Sequence, residues 1–323
     1  VNQGKPAVCG HNAATGREET LPHAISKAAI KKKVVVVGGG PGGLEAARVS
    51  ALRGHDVILF EASDRLGGQL VIAAKGMTRR QIWGVADWLI SEVETLGVDI
   101  RLNSYVEGDD IVSENPDLVI VATGGWPEPP AVPGAELTVS SWEVLSGEAR
   151  VQGTVLLIDE VGDHPAAVTA DALSRAGAAV ELVTPDRSLL HDLGPTTSAV
   201  ALRDLATNGV TFTCLTELAE VQQKNGKLQV KLTHVLTKEI KSRSVDHVVV
   251  EHGLTPIDGL YAELKPLSKN LGQVGHQSLI DGCNPFRTVQ PDGSFYLARI
   301  GDAIAGRNMH AALLDALRTC QAF

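Results

Sequence analysis

Gly38, Gly40 and Gly43 are spaced G-x-G-x-x-G, and Glu61 follows 18 residues after Gly43. Glycines at that spacing bind no metal and move no proton. What they offer is backbone. Gly38 allows a tight turn, Gly40 lets the chain approach a pyrophosphate with no Cβ in the way, and Gly43 allows close helix packing. Pro41 and Gly42 complete the turn. A helix starting there points free N–H groups and a partial positive charge at the phosphates. Glu61 can accept two hydrogen bonds from a ribose diol. The chemistry is recognition of an adenine nucleotide through its diphosphate and ribose.

These residues need a strand, a turn, a helix and a second strand in that order. Residues 34–37 are four consecutive valines, which read as a buried strand. Leu44, Ala47 and Ala51 fall on one face of the helix that follows, and residues 57–60 form the second strand, ending at Glu61. Ile82, Val85, Leu89 and Val93 predict an amphipathic helix over 81–96, with Trp83 and Trp88 packing from it. Strands are expected at 98–102 and 118–122, the latter running into Thr123-Gly124-Gly125. Pro127, Pro129, Pro130 and Pro133 then mark a crossover.

A second strand–turn–helix–strand series follows about 120 residues after the first, with strands at 155–158 and 179–183 and a helix at 164–177. A further helix is expected at 197–208. Residues 210–250 alternate like a meander, with a hairpin turn at Asn225-Gly226. A strand at 295–300 leads into Gly301-Asp302, and a helix covers 308–320. The fold class is α/β: two Rossmann-like dinucleotide-binding domains, the second inserted in the first. The expected boundaries are a linker arm at 1–32 with a short helix at 24–29, a first domain at 33–150 and 266–323, and a second at 151–265.

The second fingerprint is broken. Aligned by strand, Asp159, Val161 and His164 stand where the first unit has Gly38, Gly40 and Gly43, and Thr184 stands where it has the terminal acid. A carboxylate there would repel a pyrophosphate by a few kcal/mol at an effective dielectric of ~20. Val161 adds a Cβ at the point of closest approach. No arginine replaces the acid at position 184. NAD(P)H is therefore not expected in the second domain.

Length fits about two domains of ~150 residues each. A net charge of −9 with no basic stripe argues against nucleic-acid binding. No apolar run reaches the ~18 residues of a membrane-spanning helix. Cys9, Cys214, Cys283 and Cys320 are far apart and form no C-x-x-C pair, which makes a reducing cytoplasm the expected location. No nucleophile-elbow triad and no H-E-x-x-H motif occurs, so no catalytic residue is assigned.

Residues 33–69, Ala122-Thr123-Gly124-Gly125 and Gly301-Asp302-Ala303 resemble the flavoproteins with two dinucleotide-binding domains. Within these, residues 9–323 are similar to the C-terminal part of the NADH:flavin oxidoreductases related to old yellow enzyme. That group includes trimethylamine and histamine dehydrogenases, 2,4-dienoyl-CoA reductase and the demethylases of N-methylproline and dimethylglycine. The resemblance implies an FAD site, with ADP as the alternative, formed by Gly38, Gly40, Pro41, Gly42, Gly43, Glu61, Ala62, Arg65, Gly68, Gln69, Val106, Ala122, Thr123, Gly124, Gly301 and Asp302. It also implies FMN and a [4Fe–4S] cluster in an N-terminal barrel part, lying in cis or on another subunit. Cys9 would be the fourth cluster ligand of a full-length protein; alone it cannot hold one.

The turn Asp159-Glu160-Val161-Gly162-Asp163-His164 and the segment Gly306-Arg307-Asn308-Met309-His310 resemble the dehydrogenase and demethylase branch. The chain starts without Met and is expected to be a piece of a longer protein or a separate redox subunit. The implied function is the electron-transfer region of an amine dehydrogenase or N-demethylase, passing electrons to a protein acceptor. Two alternatives stay open: a non-redox ADP-binding structural module, and an NAD(P)H-dependent enoate or dienoyl-CoA-type reductase region. No membrane or nucleic-acid partner is expected, and homo-oligomerisation stays open.

Overall fold

The computed structural model describes residues 8–323, apart from the side chains of Met77 and Thr78. The first seven residues of the expected arm, including Ala7, lie outside the described residues. Two units divide the chain. One holds the residues through Leu70, Trp83–Trp126 and Thr255–Phe323; the other holds Val71–Ile82 and Pro127–Leu254.

The first unit is built on five parallel strands in the order Tyr296–Arg299, Leu118–Val121, Lys33–Val37, Asp56–Phe60, Asp99–Arg101. The order reverses at Lys33–Val37, so the turn leaving this strand stands at a topological switch point, where open α/β sheets bind ligands. The valine run forms a strand because both faces of the sheet are covered: Val34, Val35 and Val36 are fully buried. One face packs on Ile111, Leu264 and Phe295. The helix Pro41–Leu52 and the C-terminal helix Met309–Gln321 pack together. They come close because Gly42 has no side chain; a Cβ there would stand 3.5 Å from that of Ala312.

The outer strand Tyr296–Arg299 is held by one amide. Asn270 is fully buried; its Nδ2 donates to the Leu297 carbonyl at 2.8 Å and its Oδ1 accepts from the Leu297 N–H at 2.9 Å. Nδ2 also reaches the Gln273 carbonyl at 2.8 Å. Asn270→Ala leaves the two buried groups of Leu297 unpaired, so a loss of about 3 kcal/mol is expected in a urea titration. A loss below about 1 kcal/mol would contradict this account.

The second unit repeats the plan with the parallel order Val139–Ser140, His247–Glu251, Thr154–Asp159, Ala179–Val183, Thr211–Thr213. An antiparallel sheet of Thr216–Lys224, Lys227–His234 and Ile240–Val245 adds to it. Asn225 and Gly226 both take positive φ, as a two-residue hairpin turn requires.

Four expectations differ from the structure. No helix forms at 24–29; the stretch is irregular. The described part of the arm is no free linker, because Leu21, Ala13 and Ala14 are buried and Ala28 N–H donates to the Arg53 carbonyl. The unit divisions fall at 126/127 and 254/255 rather than 150/151 and 265/266. The proline segment joins the second unit because the Pro133 carbonyl accepts from Val221 N–H at 2.9 Å and Val139–Ser140 pairs into the second sheet. The strand expected across 244–250 is two strands broken at Asp246, whose N–H and carboxylate both bind Thr154.

Candidate functional site

The first turn is shaped by what glycine lacks. Gly38 has φ +108°, and a Cβ there would stand 2.3 Å from the Ala122 carbonyl oxygen. A Cβ at Gly43 would stand 1.8 Å from the Gly38 carbonyl oxygen. These two are structural requirements. Gly40 differs: the nearest atom to its absent Cβ is the Cα of Gly68, at 3.9 Å. A side chain of one carbon would fit at Gly40, in ordinary contact with Gly68. Gly68 faces it at φ +51°, and the Gly67 N–H ties its own segment to the Gly39 carbonyl at 2.9 Å.

The helix that starts at Pro41 has Gly40 as its N-cap and no side-chain cap hydrogen bond. Proline at N1 has no N–H to satisfy. No acidic residue stands in the first turn of this helix.

Glu61 leaves the second strand and returns to the turn. Its Oε2 accepts from Gly39 N–H at 2.6 Å, and its Oε1 accepts from Ser63 N–H at 2.8 Å. The Ser63 hydroxyl stands 2.7 Å from Oε1 and 2.8 Å from the Arg65 carbonyl. It has one proton and can serve only one of them. With that proton on the Arg65 carbonyl, each Glu61 oxygen keeps a free acceptor site, the number a ribose diol needs. Ala62 and Arg65 are exposed beside it.

Beyond the turn, Gln69 Nε2 donates to Asp302 Oδ2 at 3.0 Å and lies 3.8 Å from where a Gly124 Cβ would stand. Asp302 Oδ1 accepts from Arg307 N–H at 2.9 Å. Gly301 is fixed from behind: its N–H donates to Asp315 at 3.1 Å, and its absent Cβ would meet that of Ala312 at 3.1 Å. Thr123 Oγ1 donates to the Ile257 carbonyl at 2.5 Å, and Ile257 N–H donates to the Gly124 carbonyl at 3.0 Å. Val106 packs against the core under the sheet.

Thus the structure joins Gly38, Gly43 and Ala122 in one contact set and Gly40 and Gly68 in a second. Gln69, Gly124 and Asp302 form a third. Val106 contacts the core rather than these groups. Sequence reasoning missed Gly39, Ser63 and Ile257. The Glu61-x-Ser63 spacing was a usable signal for Ser63; Ile257 works through its backbone and gives none.

Cys9 is partly buried and free. Backbone N–H groups of Asn12, then His11, hold its thiol below the usual range. His310 Nδ1 donates to the Cys9 carbonyl at 2.9 Å, which leaves its Nε2 as the acceptor for Arg17 at 3.4 Å. Both ring nitrogens of His310 are thus engaged with the arm. Among the described residues, no group of three or more His, Cys, Asp or Glu side chains could hold a metal ion. A cavity of about 490 Å³ lies elsewhere in this unit, lined by His11, Arg48, Trp88 and Leu317 among others, and by none of the turn glycines. Trp88 is 46% exposed there and lies against the Arg48 guanidinium rather than in the core.

No helix among the described residues is long and apolar enough to cross a membrane.

The pyridine nucleotide-disulphide oxidoreductase family matches residues 32–275. The chain is 46% identical, over 98% of its length, to a probable N-methylproline demethylase of Rhizobium meliloti, of which it covers 47%. It is 42% identical, over 99% of its length, to an N,N-dimethylglycine/sarcosine dehydrogenase of Chromohalobacter salexigens, covering 48% of that protein. A solved 6-hydroxypseudooxynicotine amine oxidase of Pseudomonas geniculata superposes with a TM-score of 0.81 at 26% identity, over 97% of this chain and 46% of that one. The chain spans about half the length of the curated relatives it matches. The resemblance read from the glycine turns is met by a match across both units, and the chain belongs to the pyridine nucleotide-disulphide oxidoreductase family.

Proposed function

We propose that this chain is the FAD-bearing electron-transfer region of a flavin oxidoreductase that oxidises an amine, by dehydrogenation or N-demethylation. The observation that carries it is the first turn with no side-chain cap on its helix, two glycines, Gly40 and Gly68, facing each other there, and a polar end at Gln69 and Asp302. The turn and Glu61 suit the ADP moiety, which FAD and ADP share. Gln69, Gly124 and Asp302 continue the polar lining past the pyrophosphate, and an ADP-only site has no use for them.

FAD, when bound, supplies the redox chemistry; the protein binds, orients and tunes it. Gly40 and Gly68 would admit the pyrophosphate, Glu61 the ribose, and Asp302 the ribityl chain. No side chain here is assigned proton transfer. FMN, the other ligands of a [4Fe–4S] cluster that Cys9 would complete, and the amine site would lie outside this chain, which spans about half the relatives' length. Electrons would leave to a protein acceptor, and the second unit would bind no NAD(P)H. The amine preference rests on the names of the relatives.

The test is the visible spectrum of the purified chain, before and after reconstitution with FAD. A flavin band that stays with the protein through gel filtration is expected. A colourless protein that releases ADP on denaturation, and takes up no FAD, overturns the redox reading in favour of an ADP-binding structural module.

A further inference from the structure

We infer that the second turn is closed to nucleotides by its own Asp159, whose carboxylate occupies the N–H donors a pyrophosphate would take. The inference deepens the reading above that the second unit binds no pyridine nucleotide, and rests on it. It replaces charge repulsion by occupancy as the reason.

Asp159 ends the strand Thr154–Asp159 and is fully buried. Its Oδ1 accepts from Val161 N–H at 3.1 Å and Gly162 N–H at 2.8 Å. Two successive N–H groups converging on one oxygen make an anion-binding concavity. Here the anion is part of the chain. The neighbouring donors are engaged too. Glu160 N–H goes to the Glu251 carbonyl at 2.9 Å, and His164 N–H goes to Asp163 Oδ1 at 2.7 Å. Residue 165 is proline and has no N–H. The helix His164–Arg175 therefore starts with its first donor capped and its second missing.

The turn is also covered. Gly162 has φ +74°, and a Cβ there would stand 2.2 Å from His191 Nδ1. Asp192 N–H donates to the Gly162 carbonyl at 3.0 Å, which holds the covering loop down. The ribose-reading position is closed in the same manner, since Thr184 is buried and its hydroxyl accepts from Asp186 N–H at 3.2 Å. In the first unit the helix has no side-chain cap, and a Cβ at Gly40 would meet nothing closer than 3.9 Å, where one at Gly162 would meet His191 at 2.2 Å.

Occupancy and repulsion separate by substitution. Asp159→Asn keeps an Oδ1 acceptor for both N–H groups and removes the charge. Asp159→Gly frees both donors, and adding His191→Ala removes the cover. NADH is titrated by calorimetry into each FAD-saturated protein. No saturable binding is expected for the parent or Asp159→Asn, and affinity at least about tenfold higher for Asp159→Gly/His191→Ala. Micromolar binding by the parent overturns the inference and, with it, the exclusion of NAD(P)H. Equal gains for Asn and Gly overturn occupancy alone. A folded double variant with no gain overturns it as well.

Amide exchange of the unsubstituted protein needs no variant. Val161 and Gly162 should be protected about a hundredfold against free peptide, and fast exchange at both overturns the inference. This outcome does not depend on flavin, so a chain that takes up no FAD would sink the proposed function and leave it intact.

Discussion

A Gly40→Ala protein is expected to fold, to melt near the parent and to bind FAD about a hundredfold more weakly, a loss of about 2.7 kcal/mol. The two halves of that result come from one measurement of space. The added Cβ meets nothing in the protein closer than 3.9 Å, so the fold tolerates it. Gly40 has φ −74°, which alanine adopts freely. Alanine lowers the entropy of the unfolded chain but is a poorer N-cap than glycine, and the two effects offset to within about 1 kcal/mol. Under the proposed function, the same Cβ would stand where a pyrophosphate has to come against the backbone of the turn. Gly43→Ala is the contrasting variant. Its Cβ would fall 1.8 Å from a backbone oxygen, so the turn must break. A cost of several kcal/mol is a large fraction of the ~5–15 kcal/mol that holds a domain together. Thermal melts and flavin-fluorescence titration read both quantities. Parent-like FAD binding by Gly40→Ala would show that the nucleotide does not come against the backbone at Gly40.

The second large effect is on stability, through Glu251. This residue pairs with Asp159 across adjacent strands and is 6% exposed. Burial foremost, with the nearby Asp159 charge adding to it, pushes its carboxyl up to about 7. Burial likewise pushes Asp159 to about 6, against the two N–H groups that favour its charged form. A folded-state pKa above the unfolded value means the folded chain holds a proton that the unfolded chain releases. The parent is thus most stable in this respect below about pH 4.5, and loses that stability as pH rises towards about 7. Glu251→Gln removes the titration while keeping the shape. It is expected to match the parent near about pH 4.5 and to exceed it by up to about 3 kcal/mol near about pH 8. Urea midpoints at the two pH values decide. An equal offset at both pH values would mean that Glu251 is not held protonated by the fold.

What the sequence revealed was local. Four valines, three glycines at fixed spacing and an acid at the next strand's end each act within a few residues, and the structure has the expected strand, turn, helix and strand, with each strand starting one residue earlier than expected. The strand 179–183 was legible for the same reason. What escaped depends on partners far along the chain. The proline segment reads as a linker until Val221 binds Pro133 from nearly 90 residues away. Nothing near Asp246 announces that Thr154 will split its strand. The arm at 8–32 has no period, yet side chains such as Leu21 are buried. Asp159 was legible as a carboxylate in the wrong place. That it folds back onto Val161 and Gly162, so that the turn is filled and not merely charged, is a matter of geometry no spacing rule carries.

The amide of Asn270 has a consequence for how copies of this chain can meet. Strand Tyr296–Arg299 stands at one end of the first sheet, where exposed N–H and C=O groups would invite another chain to add a strand. Asn270 answers both groups of Leu297, and Lys269 N–H answers the Phe295 carbonyl at 2.7 Å. At the opposite end, Asp99–Arg101 is three residues long and carries the Arg101 ion pairs with Asp99 and Glu114. One edge is plugged and the other short and charged, so a partner of this sheet must dock on helices and loops, not extend its ladder.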